Sequence, residues 1–312
     1  MRRVVIVVAA GAALLVALLL AALRVGEEPG ALSNWQALVL GIVQGLTELL
    51  PISSSGHLIL VPWLADWEYL QTHEEFNQTF DVALHVGTLV AVVAYFRRDL
   101  ARLVAAWLAS VRRREIATPE ERIAWFVVVA TIPAALVGAL AEELIADHLG
   151  EPWQIALFLA AFGVVLWLAD RREPTRRMSD LGLGTALAVG LAQSLALAPG
   201  VSRSGITISA ARFLGLDRDS AARFSFLLLV PIVFGASVWK GLTDVVLGDL
   251  PPGSSGPFVV GMIAAAVSGL AAIWALLGYV RRHDYSVFVV YRLVAALVIA
   301  LLIASDVRDA GF

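Results

Sequence analysis

Gln44-Gly45-Leu46-Thr47-Glu48-Leu49-Leu50-Pro51-Ile52-Ser53-Ser54-Ser55-Gly56-His57 interrupts an otherwise apolar stretch, 34–64. A second apolar stretch, 182–210, is broken in the same manner by Pro199-Gly200-Val201-Ser202-Arg203-Ser204-Gly205-Ile206-Thr207. Neither reads as a simple membrane span, and how they are placed decides the fold. Everything around them is strongly apolar. The chain has 312 residues, 59% hydrophobic and 16% charged, with a mean hydropathy of +0.82. Soluble domains average about 45–50% apolar and about 25% charged, so lipid must be the solvent for much of this surface. A formal net charge of -3 gives no basic balance for nucleic acid. The absence of cysteine excludes disulfides, thiolate metal sites and cysteine nucleophiles.

Apolar runs long enough for a bilayer core fall at about 4–24, 80–96, 123–145, 153–169, 223–241, 257–279 and 286–304. The run 4–24 follows Met1-Arg2-Arg3. Its apolar core is about 20 residues, longer than the 7–15 of a signal-peptide core, so a retained helix is expected. Most of the basic residues cluster in alternate loops: Arg2 and Arg3, the arginines of 97–122, 171–177 and 212–223, and Arg281 with Arg282. The other loops collect acids such as Glu74, Glu75, Glu142, Glu143, Asp147 and Glu151. The basic side is therefore expected to be cytoplasmic. That orientation holds only if 34–64 enters and leaves on the outer side and 182–210 on the cytoplasmic side, as two re-entrant hairpins.

Shifting the chain against itself by 149 residues aligns the two stretches. Gly41 meets Gly190, Gln44 meets Gln193, Leu46 meets Leu195, Ser53 meets Ser202, and Ser55-Gly56 meets Ser204-Gly205. Each hairpin precedes three spans. The expected fold is an all-α polytopic membrane protein: an inverted-topology repeat with six core transmembrane helices, two re-entrant hairpins and an extra N-terminal helix. The expected organisation is an N-terminal helix within 1–30, one membrane-embedded domain over 31–304 made of repeats at about 34–169 and 182–304, and a tail at 305–312. Repeats of this kind place a site near the midplane, built from broken helices.

The interruptions carry the chemistry. Gln44 and Glu48 are four residues apart and share a helix face; Pro51 ends that helix. Ser53, Ser54, Ser55 and Gly56 then form a turn opening a new helix, a geometry suited to anions. His57 opens that helix. The second turn adds Arg203, the side chain suited to bidentate phosphate binding. The plainer readings are a structural Glu48–Arg203 salt bridge and serines that only cap helices. His85 and Asp81 read as solvated or satisfied residues at a helix end. Arg292, beside Tyr291, reads as snorkelling or paired internally, and the arginines of 97–122 as solvated loop.

At these residues the chain resembles the bacitracin-resistance family, the bacterial undecaprenyl-diphosphate phosphatases. The resemblance rests on Gln44…Glu48, Pro51…His57 and Pro199…Thr207, and extends over roughly 34–304, through 224–231 and Tyr291-Arg292. It implies hydrolysis of undecaprenyl diphosphate to the monophosphate, which recycles the lipid carrier for peptidoglycan. It also implies a divalent cation (Mg2+ or Ca2+), a multi-pass protein of the bacterial inner membrane, and a site opening to the outer face. The partners expected are the polyprenyl diphosphate and membrane lipid, with a homodimer as one possible state. On that basis Glu48, Ser54, His57 and Arg203 are the catalytic candidates. Ser53, Ser55, Gly56, Ser202, Ser204, Gly205 and Thr207 are phosphate-binding candidates, and Glu48 with Gln44 the metal ligands. The attacking group is Ser54 or a metal-activated water, with His57 as general base or acid. A transporter or lipid flippase fits the same topology without hydrolysis.

Overall fold

A computed structural model of the protein describes residues 32–67, 69–70, 73–240 and 255–311. The expected helix at 4–24 lies outside the described residues. Among them the regular structure is helical: α1 (Asn34–Leu49), α2 (Ser54–Ala65), α3 (Glu74–Arg113), α4 (Pro119–His148), α5 (Pro152–Asp170), α6 (Leu183–Ser194), α7 (Arg203–Phe213), α8 (Arg218–Lys240), α9 (Ser255–Val280) and α10 (Ser286–Ala304), with 3-10 turns at Met178–Asp180 and Leu195–Leu197.

Six of these helices, α3, α4, α5, α8, α9 and α10, are long and apolar enough to cross a membrane. Burial is distributed as lipid solvation requires. Leu140, Val267 and Trp274 are among the most exposed side chains, whereas Gln44, Glu48, His57, Arg212 and Arg292 are buried. Polar groups point inward because no water outside the protein would satisfy them at that depth. The chain is a multi-pass membrane protein.

The first span departs from its expected bounds. α3 has 40 residues, about 60 Å at 1.5 Å per residue, twice a hydrocarbon core of about 30 Å. It kinks at Phe96 (φ −94°, ψ 15°), and the arginines beyond it continue the helix to Arg113. Those read as loop are therefore helical up to that point. Those arginines are exposed, whereas Glu121 is buried and closes a capping box with Thr118 at the start of α4.

The other four helices form two pairs, α1–α2 and α6–α7. None exceeds 16 residues, about 24 Å, too short to span. α1 is capped by Ser33 and Gln36 and stops before Pro51, which excludes helical φ/ψ from the residue preceding it; Leu50 is extended (φ −77°, ψ 145°). α2 and α7 open on Ser53 and Ser202, each accepting from the backbone N–H three residues on.

The two pairs interlock with the spans in matching fashion. α1 lies along α9 and α6 along α4, so each pair packs on the middle span of the other half. The aligned glycines make this approach possible. A Cβ at Gly41 would sit 2.4 Å from the Gly261 carbonyl oxygen, and one at Gly190 2.5 Å from that of Ala130. Glycine at such contacts lets membrane helices approach closely. The Gly190→Ala variant is expected to lose about 1–3 kcal/mol, because rigid backbone must shift to accept one methyl. Denaturant unfolding in detergent measures this.

Candidate active site

The two turns meet inside the bundle. The Gly200 N–H donates to Ser53 Oγ (3.0 Å) and Ser204 Oγ donates to the Leu50 carbonyl (2.9 Å). Gly200 takes φ +97° against the α5 backbone, where a Cβ would lie 2.9 Å from the Ile155 oxygen. Both N-cap serines are also left-handed: Ser53 has φ 76° and Ser202 φ 75°. Non-glycine residues in such conformations cost about 1–3 kcal/mol each and persist only where the surroundings hold them. Here they are held by their own caps and by contact between the turns.

Around this junction three sequence candidates, Arg203, Ser54 and Gln44, converge on Glu48, together with His85. Its Oε1 accepts from Arg203 through Nε (3.2 Å) and Nη2 (3.1 Å). Its Oε2 accepts from Ser54 Oγ and from Gln44 Nε2 (3.4 Å), and lies 3.4 Å from His85 Nε2. The third Arg203 nitrogen, Nη1, donates to the Ser225 carbonyl (2.7 Å) on α8. The Gln44–Glu48 helix face and the Glu48–Arg203 salt bridge, both legible in the sequence, are present. The salt bridge does not compete with a site reading, since a buried carboxylate and guanidinium at this depth must pair when nothing else is bound.

The hydroxyls divide into two groups. Ser54 faces the carboxylate. Ser53 and Ser202 cap helices, receiving the Gly56 and Gly205 N–H groups, and Ser55 Oγ is 3.5 Å from Ser53 Oγ. Ser204 links the turns, and Thr207 bonds the Arg203 carbonyl and Ser225 Oγ (2.7 and 2.8 Å). The capping reading therefore describes Ser53 and Ser202. His57 stands apart from Glu48. Its Nδ1 lies 2.6 Å from the Ser53 carbonyl, which only accepts, so that nitrogen carries the proton. In the neutral ring Nε2 is then the acceptor of the Tyr291 hydroxyl, 2.6 Å away.

Three residues surpass what their sequence positions suggested. Arg292 is fully buried and its guanidinium donates to the carbonyls of Pro51, Phe158, Leu159, Gly200 and Val201. Tyr291 holds His57. His85, partly exposed, is satisfied by the Asp81 carbonyl and sits against Glu48. Its helix position relative to Glu48 depends on how α3 crosses α1, which no spacing along the chain encodes. Ser225 falls in the 224–231 segment of the resemblance, but a lone serine in an apolar run points to no role of its own.

For a metal, the donor set is sparse but suitable. Among the described residues no cluster of three His, Cys, Asp or Glu stands ready to hold an ion. Gln44 Oε1, however, is buried without a partner, since its amide turns Nε2 to the carboxylate. A free amide oxygen beside a carboxylate suits a hard cation whose remaining ligands are phosphate oxygens and water.

Six apolar helices around a buried cluster of carboxylate, hydroxyl and guanidinium define a multi-pass membrane protein with a buried polar centre. The family model described as "Bacitracin resistance protein BacA" matches residues 37–298, and the chain belongs to that family. It is 47% identical over 276 residues to the undecaprenyl-diphosphatase of Desulforudis audaxviator, covering 87% of this chain and 99% of that protein. To the undecaprenyl-diphosphatase of Geobacter sulfurreducens it is 50% identical over 261 residues (83% and 94%). The protein of the same name from Thermomicrobium roseum is 46% identical over 280 residues (86% and 98%).

Replacing Arg292 by leucine is expected to destabilise the fold by about 3 kcal/mol or more, because several buried carbonyls lose their donor together. Lysine should not rescue it, lacking the planar fork. Unfolding midpoints in detergent for both variants test this.

Proposed function

We propose that the protein is an undecaprenyl-diphosphatase, hydrolysing the lipid diphosphate to the monophosphate and inorganic phosphate. The observation that carries this reading is Ser54 Oγ donating to a Glu48 carboxylate that Arg203 grips from its other side. A hydroxyl, its proton acceptor and a phosphate-binding guanidinium are thereby within one group. Family membership supplies the substrate class.

Phosphoryl transfer needs mainly positioning and charge neutralisation. The arriving diphosphate draws Arg203 from its resting partner, and the guanidinium clamps phosphate oxygens. Ser54 Oγ attacks the terminal phosphorus, and its proton passes to Glu48 Oε2. Undecaprenyl phosphate leaves, and water then releases inorganic phosphate from Ser54. His57 steadies the turn through Tyr291 and Ser53, and moves a proton only if that pair opens. Ser55, Gly56, Ser202, Ser204, Gly205 and Thr207 shape the cradle, most of them through caps and cross-links. A magnesium or calcium ion would be held by Glu48 and Gln44, and would supply charge neutralisation on the phosphate oxygens.

The α1–α2 and α6–α7 pairs act as re-entrant hairpins of an inverted repeat, entering from opposite faces. Their short lengths and matching caps support that reading. With the basic loops cytoplasmic, the site opens to the outer face of the bacterial inner membrane, where the lipid carrier is returned to use for peptidoglycan.

Purified protein in detergent, without any membrane gradient, should release phosphate from undecaprenyl diphosphate; a transporter would release none. Glu48→Gln and Arg203→Ala should each lower the rate about 10³-fold, while Gln44→Glu is tolerated. Wild-type turnover by Glu48→Gln would overturn its role. A chelator should abolish activity, and added Mg2+ or Ca2+ should restore it. Substantial turnover by Ser54→Ala, with no phosphoserine trapped, would transfer the attack to water.

A further inference from the structure

The site holds more negative-charge partners than the sequence motifs contain. We infer that His85, on α3 and outside both turns, is a phosphate-binding residue that receives the substrate's diphosphate through its Nε2 nitrogen. This rests on the phosphatase reading above and adds a residue to it.

The argument begins with the donors available to a diphosphate. Arg292 is committed to backbone carbonyls of both turns and α5. His57 is committed to Ser53 and Tyr291. Arg203 divides its nitrogens between Glu48 and Ser225. A diphosphate brings several negative charges into a low-dielectric setting, where one guanidinium is a poor match. Gln44 Nε2 is a neutral amide turned to Glu48, and the other side-chain nitrogen against that carboxylate among the described residues is His85.

Its geometry suits that task. Nδ1 lies 2.7 Å from the Asp81 carbonyl oxygen, which fixes the ring on its own helix. Nε2 lies 3.4 Å from Glu48 Oε2. Both neighbours are acceptors, so both ring nitrogens carry N–H, one toward the Asp81 carbonyl and one toward Glu48, and the ring is the imidazolium, unlike that of His57. His85 is also the accessible member of the cluster: its side chain is 28% exposed, against 5% for Glu48 and 12% for Arg203. An incoming head group therefore meets the imidazole before the carboxylate.

The contact has a consequence for the carboxylate. Glu48 Oε2 is the oxygen that Ser54 addresses, and an N–H resting on it weakens it as a proton acceptor. When a phosphate oxygen takes that N–H, Glu48 Oε2 is left to Ser54. Substrate arrival and freeing of the base are then one exchange of hydrogen bonds. Its essential requirement is a donor at this position rather than a titrating ring.

The test compares His85→Gln, which keeps an N–H donor, with His85→Met, which matches glutamine in size and has none. Steady-state phosphate release from undecaprenyl diphosphate gives KM and kcat, and inorganic pyrophosphate serves as a competitive probe of the head-group site. His85→Met should raise KM and the pyrophosphate inhibition constant together by about tenfold, with kcat within about threefold. His85→Gln should stay within about threefold of wild type in all three. Unfolding midpoints establish that both variants fold, and His85→Ala replaces the methionine variant if that one does not. Equal KM for the donor and non-donor variants overturns the inference. So does a loss confined to kcat, the mark of a structural or proton-transfer role. Absence of phosphate release by the wild-type protein would instead overturn the phosphatase reading itself.

Discussion

Five carbonyl oxygens held by one guanidinium are the constraint on which this fold depends. Breaking a helix inside a membrane exposes carbonyls that would elsewhere turn to water. The chain breaks two helices at neighbouring points, at Pro51 and at Gly200-Val201, and brings both breaks to Arg292. The same side chain reaches the Phe158 and Leu159 carbonyls of α5. A planar group with donors on three nitrogens suits this better than a point charge. The buried cation in turn requires those carbonyl dipoles, because it has no carboxylate among its bonded partners. Each element stabilises a feature that would be costly alone.

With the turns fixed in this way, the site follows. Ser53 and Ser202 take the same positive φ and the same cap, so α2 and α7 start from matched geometry at a shared junction. That junction sets Ser54 over Glu48 and delivers Arg203 from the other turn. The strain in the two serines is a local cost, borne by the contacts across the turns. It keeps the hydroxyl and the guanidinium on opposite sides of one carboxylate, where neither helix alone would place them.

Much of this was legible in the chain. Hydropathy gave the six spans, and Gln44, Glu48, Pro51 and the serine clusters marked the broken helices, because local spacing and proline chemistry act along the sequence. The Glu48–Arg203 pairing was also foreseeable, since two opposite charges at membrane depth have few other partners. What escaped was contact across elements. His85 read as a solvated or satisfied helix-end residue and Arg292 as snorkelling or paired internally; the structure selects the satisfied and the internally paired readings, and their actual partners were hidden because they lie 37 and more positions away and are backbone oxygens or a carboxylate on another helix. The helical extension beyond Phe96 escaped for a different reason: a run of arginines reads as solvated, and it is solvated while remaining helical.

The alignment of the two turns also explains how matching scaffolds yield one working centre. In register, Glu48 of the first turn corresponds to Leu197 of the second, and Ser54 corresponds to Arg203. The scaffold residues agree: glycine at the close approach, glutamine one helical turn before the reactive position, a serine cap, and glycine three residues after that cap. The reactive residues differ. Two identical turns would face carboxylate to carboxylate, or guanidinium to guanidinium, and like charges at such separation in low dielectric repel strongly. Divergence at these two positions turns the junction into an acid–hydroxyl pair on one side and a cation on the other. In the proposed reaction that arrangement serves a phosphate anhydride as a base for the attacking group and a clamp for the oxygens. The pseudo-symmetry supplies the position, and its local violation supplies the chemistry.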